Sequence, residues 1–189
     1  MLKSILKNLP PAIGYLFMGN LLGQVMTFSL AMFRSSTEIM LLATLFSLTI
    51  YFLLIAVPAY KDGQNERSKV TTKALLKENK AVPYMYRWLY IGVFLYAIML
   101  IPSIIFMTGQ ITDGVYRLLS GAVAPLGWIL IEGTGEYVEI ANAATGADEY
   151  RELMRLIPWS AWVFMGLYAL TIPACYIGYV FGLKGKFDK

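Results

Sequence analysis

The feature that most restricts this chain is the length of its charge-free runs. Leu9–Phe33, Ile39–Val57, Trp88–Met107 and Trp159–Gly182 contain no Asp, Glu, Lys or Arg, and the whole sequence has no His. A bilayer core of roughly 30 Å is crossed by about 20 mostly apolar residues in a helix. Each of the four runs meets that length or comes within a residue of it. The composition agrees: 58% of residues are apolar and only 15% charged, where a soluble domain carries about 25%. The expectation is an all-α integral membrane protein, residues 1–189 forming one membrane domain with four transmembrane helices. A cleavable signal peptide ending near Ser29-Leu30-Ala31 is the rival for the first run, but its apolar stretch is too long for a signal core.

The second constraint is the one long polar stretch, Pro58–Arg87, between the second and third runs. It carries Lys61, Arg67, Lys69, Lys73, Lys77, Lys80 and Arg87 against Asp62, Glu66 and Glu78. Basic loops beside spanning helices remain cytoplasmic. With both termini also inside, twelve of the sixteen cations lie in the cytoplasm, and eight of the twelve acids lie outside. The expected topology is therefore N-in and C-in, in a plasma (inner) membrane, with a cytoplasmic basic loop at 58–87 and an extracytoplasmic segment at 108–158. Within the loop, Ser68–Lys80 has a thin apolar face (Val70, Ala74, Leu75), and a solvated, partly ordered loop is expected. Arg34–Glu38 reads as a tight turn that makes the second helix antiparallel to the first.

Small and amide residues mark the packing faces. Gly19 and Gly23 form GxxxG on the first helix, with Asn20, Gln24 and Thr27 on nearly the same face. Ala174, Gly178 and Gly182 repeat the small-xxx-small spacing on the last. Such residues let helices approach closely, and amides bond across them. Thr44, Ser47 and Tyr51 form a similar stripe on the second helix. Pro102 and Pro173 each remove a helical N–H, so kinks are expected at both.

The outer segment opens with Leu118–Ile131, apolar but broken by Gly121, Pro125 and Gly127. It is too short to span and suits a re-entrant or surface-lying helix. Glu132, Glu136 and Glu139 follow at helical spacing, and in an oligomer they would line a cation-selecting mouth. Thr145–Asp148 resembles a capping box ahead of an amphipathic helix that ends before Pro158.

Several kinds of chemistry lack their parts. The absence of His removes its metal sites and the commonest general base. Cys175 is the single cysteine, so no intrachain disulfide forms. No charged group lies inside a run to relay protons, and no phosphate-binding loop or nucleophile elbow is present. No cofactor, metal or nucleic acid is expected, and the chain is not read as an enzyme. The expected role is a non-catalytic membrane subunit or scaffold that meets lipid and other membrane subunits, or a second copy of itself. The alternative is a homo-oligomeric channel or small-solute transporter with an acidic outer mouth.

Overall fold

The computed structural model describes residues 2–30, 32, 36–75, 86–107, 113–130 and 158–184. Regular structure among these residues is helical throughout, with no strand. The elements are α1 (Leu2–Ser29), α2 (Thr37–Leu75), α3 (Arg87–Met107), α4 (Asp113–Leu119), a 3-10 turn (Gly121–Val123), α5 (Ala124–Leu130), α6 (Pro158–Ala169) and α7 (Thr171–Lys184). Three stretches are long and apolar enough to cross a membrane: Thr37–Lys69, Arg87–Phe106 and Ala161–Lys184. At 28 residues α1 has the length, but Asn20, Gln24 and its glycines lower the hydropathy of its charge-free part and it is not among the three.

Helix α2 departs most from expectation. It runs 39 residues, through Pro58 and on to Leu75, where a loop was expected from residue 58. Proline removes one hydrogen bond and crowds the carbonyl four residues back, yet the helix persists because its extension is held by other helices. The residues from Ala59 onward include strong helix formers such as Ala, Lys, Gln, Glu and Arg. Gly63 also sits so close to α7 that a Cβ there would strike the Tyr179 carbonyl and the Leu183 amide. The Ser68–Lys80 stretch is, as far as Leu75, the end of this same helix.

The two kink positions behave differently. Helix α3 continues past Pro102 to Met107. In the last apolar run the helix breaks, with α6 ending at Ala169 and α7 starting at Thr171. Pro173 accounts for the position of this break: its ring crowds the carbonyl of Ala169, four residues earlier, and offers it no N–H. The ladder resumes at once, with the Ala174 amide donating to the Leu170 carbonyl at 3.1 Å.

The chain forms two compact units. One comprises Met1–Phe17, Phe52–Tyr96 and Ala169–Lys189; the other comprises Met18–Tyr51 and Ala97–Tyr168. In the first, α7 lies against α2 along a seam of small residues. A Cβ at Gly178 would lie 2.8 Å from the Ala56 carbonyl oxygen, and one at Gly182 would strike the Tyr60 carbonyl. Gly92 on α3 meets Ile172 and Cys175 of α7 in the same way, and Trp88, Ile91, Leu95, Cys175 and Tyr179 are buried. In the second unit Phe106, Tyr116 and Phe164 stack, with centroids 4.3 and 5.5 Å apart. The broken segment Gly121–Ala124 is fully enclosed beside them.

Candidate functional site

The first unit holds a charged cluster on four helices. Asp62 and Glu66, one turn apart on α2, both face Arg87 at the start of α3. The Arg87 guanidinium pairs with Asp62 through Nη2 and with Glu66 Oε1 through Nη1 at 3.0 Å. Trp88 Nε1 donates to Asp62 Oδ2 at 2.7 Å, and Asn8 Nδ2 of α1 donates to the same oxygen at 3.2 Å. From α7 the Tyr179 hydroxyl donates to Glu66 Oε2 at 2.5 Å, while Arg87 Cζ lies 5.4 Å from the Tyr179 ring centroid. A planar guanidinium suits this task, because its fork can bind two carboxylates and its face can rest on an aromatic ring. Arg87 is almost fully enclosed, with only 4% of its side chain exposed.

This cluster forms one wall of a half-open cavity of about 480 Å³, lined by Lys7, Asn8, Asp62, Asn65, Glu66, Ser68, Lys69 and Arg87. The volume is within the roughly 300–1,000 Å³ of small-molecule sites, although such sites are mostly apolar. Both carboxylates already accept strong, charge-assisted bonds. They are therefore poor candidates for a general base, and no third acid gathers with them to hold a metal among the described residues.

The second unit holds a neutral counterpart around Asn20. Its Oδ1 accepts from the Ala122 amide at 3.1 Å and from the Tyr168 hydroxyl at 2.8 Å, and its Nδ2 lies 3.5 Å from Met99 Sδ. Tyr168 in turn meets Tyr51 edge-on at 5.5 Å. One turn along α1, Gly23 admits the broken segment: a Cβ there would lie 2.5 Å from both the Gly121 carbonyl oxygen and Ser47 Oγ. A Cβ at Gly121 would strike the Asn20 carbonyl. Gly19 gives the same room to Tyr51. Nearby, the Ser103 and Tyr116 hydroxyls bond at 3.0 Å.

The residues singled out from sequence thus have definite places. Gly19, Asn20 and Gly23 face α2 and the Gly121 turn within their unit. Gln24 is half-buried beside them, and Thr27 donates to its own helix at Gly23 O, 2.9 Å away. Thr44 does the same to Met40 O at 2.8 Å. Gly178 and Gly182 face α2, while Ala174 is only half-buried. Arg117, counted from sequence among the outer cations, is buried with its stem where Gly127 leaves room. Glu132, Glu136 and Glu139, and the capping box at 145–148, lie outside the described residues. The Asp62–Glu66–Arg87 cluster was missed. Its only sequence signal was two acids at i and i+4 within a basic stretch, just past a charge-free run.

Comparison with protein-family models, curated proteins and solved structures finds no match for this chain.

Proposed function

We propose that the chain is a non-catalytic multi-pass subunit or scaffold of a plasma (inner) membrane assembly. It crosses the bilayer four times, with both termini and the basic stretch cytoplasmic and residues 108–158 outside. One observation carries this reading: Arg87, Glu66 and Asn20 use their polar groups to join helices. Arg87 ties α3 to α2, Glu66 ties α2 to α7, and Asn20 ties α1 to α6 and to the Gly121 turn. The hydroxyl that meets a carboxylate among these bonds, Tyr179 on Glu66, is buried with its ring beside the Arg87 guanidinium and serves the same joining role. The outward residues suit lipid or a partner helix. Leu21, Val25 and Phe28 on α1 are 65%, 51% and 67% exposed, at the spacing of one helical face. The glycine faces are occupied within the units, so a partner would meet outward side chains of this kind. Extraction from the native membrane in mild detergent, followed by native mass spectrometry, tests the role. A mixed complex supports the subunit, and a lone monomer opposes it.

A second reading, a homo-oligomeric channel or small-solute carrier, is favoured by the enclosed break at Gly121–Val123. Irregular backbone at membrane depth is tolerated only inside protein or along a cavity, and carriers place broken helices at their binding sites. This reading expects ion or solute flux in proteoliposomes that changes when Glu132 and Glu136 become Gln. An absence of flux opposes it.

A further inference from the structure

We infer that the cavity of the first unit binds a phosphate-bearing anion, either the headgroup of an anionic phospholipid or a soluble phosphate. The argument begins with which groups in the lining are already engaged. Asp62 Oδ2 takes bonds from Arg87, Trp88 and Asn8, and Glu66 takes them from Arg87 and Tyr179. The acids' lone pairs are thus largely engaged within the wall; Arg87 offsets one of their two charges, and Lys7 and Lys69 bring the lining to a net charge of +1. Lys7, Asn65 and Lys69 line the same space and make no ion pair or hydrogen bond among the described residues. Two ammonium groups and an amide, all exposed, line one half-open cavity from α1 and α2 and can donate to a bound acceptor. An oxyanion with several lone pairs satisfies them, and Lys is a common phosphate binder. The volume of about 480 Å³ exceeds what one phosphate needs, which leaves room for an attached glycerol or sugar. The site rests on the first unit alone, independent of the subunit role; the proposed topology decides only which leaflet would supply a lipid.

The test uses the full chain purified in detergent. Native mass spectrometry measures retention of added phosphatidylglycerol against phosphatidylcholine. In parallel, thermal unfolding is followed with inorganic phosphate against chloride at equal ionic strength. The key variant is Lys7→Gln/Lys69→Gln; the control is Lys61→Gln/Lys184→Gln, two exposed cations outside the lining. Two lysines near a membrane surface give roughly a 30-fold preference for anionic lipid. Loss of most of that preference in the first variant and not in the control identifies a lipid site. A midpoint raised by phosphate alone, and lost in the first variant only, identifies a soluble phosphate. The proposal is overturned if neither probe binds, or if both variant pairs lose binding equally, since that marks a diffuse basic surface.

Discussion

The two units solve the same problem with different chemistry. In the first, helices are joined by ions: one guanidinium between two carboxylates, closed by an indole, an amide and a phenol. In the second they are joined by a neutral amide, hydroxyls and backbone in close contact. The difference follows the sequence. Asn20 and its partners come from the charge-free runs or the short apolar segment after α3, stretches that contain no Asp, Glu, Lys or Arg. Asp62, Glu66 and Arg87 come from the polar stretch that follows Val57, where hydration is near. Charge-assisted bonds are the stronger kind, but they leave a larger penalty when half removed. The ion cluster should therefore be the more fragile to single substitutions, and the amide cluster the more sensitive to volume.

The largest effect is expected at Arg87. Arg87→Ala leaves Asp62 and Glu66 one turn apart with no guanidinium between them, and breaking a buried pair in this way costs about 3–5 kcal/mol. Arg87→Lys keeps the charge but not the fork, and should lose less. Cys175, the only cysteine and fully buried, supplies a reporter: a thiol-reactive dye records its exposure on heating. An unchanged midpoint for Arg87→Ala would remove the ion cluster from the account of stability.

Next in size is overpacking at the amide cluster. Gly23→Leu drives a side chain into the Gly121 carbonyl, Ser47 and Ala122, and overpacking of this kind costs about 1–3 kcal/mol or more. The same substitution at Gly14, where a Cβ would meet nothing within 4 Å, should be close to neutral. If both positions respond alike, the close approach of α1 to the Gly121 turn is not what the glycine provides.

These two positions also show what could be read from residues alone. The helices were legible because length without charge is a bilayer signal that needs no tertiary context. Gly19, Asn20 and Gly23 were legible as a face, since small and amide residues at helical spacing point to close packing. Their mates at Gly121 and Ala122 were not, because nothing local pairs residues about a hundred positions apart. The extension of α2 was hidden by Pro58, where the charge-free run ends, and is explained only once α7 is seen against Gly63. The Asp62–Arg87 contact was hidden because charges in a basic stretch look solvated. Pro173 was legible as an interruption, but the visible break falls at Leu170, where its ring meets the preceding turn.

Asn20→Leu comes third. It removes the acceptor of two bonds and leaves the Ala122 amide and Tyr168 hydroxyl without it. Interhelical bonds in membrane proteins average about 0.6 kcal/mol, with a maximum near 1.7, so a loss of about 1–2 kcal/mol is expected in the same dye assay. A larger loss than Arg87→Ala would reverse the ranking of the two clusters.

The smallest change probes whether the ion cluster acts as a unit. Tyr179→Phe deletes one hydroxyl from Glu66 and leaves the ring under Arg87 in place. Alone it should cost about 0.6 kcal/mol, the average for interhelical bonds in membrane proteins, because Glu66 keeps its guanidinium partner. The informative quantity is its coupling to Trp88→Phe, which removes the indole donor from Asp62. The two donors touch different carboxylates and share only Arg87. Independent bonds would add within about 0.3–0.5 kcal/mol. A coupling above that range means the guanidinium transmits the loss of one donor to the other carboxylate, as a network polarised through one ion should. Strict additivity would instead reduce the cluster to separate pairs that happen to meet at one arginine, and its contrast with the amide cluster would then be one of bond strength alone.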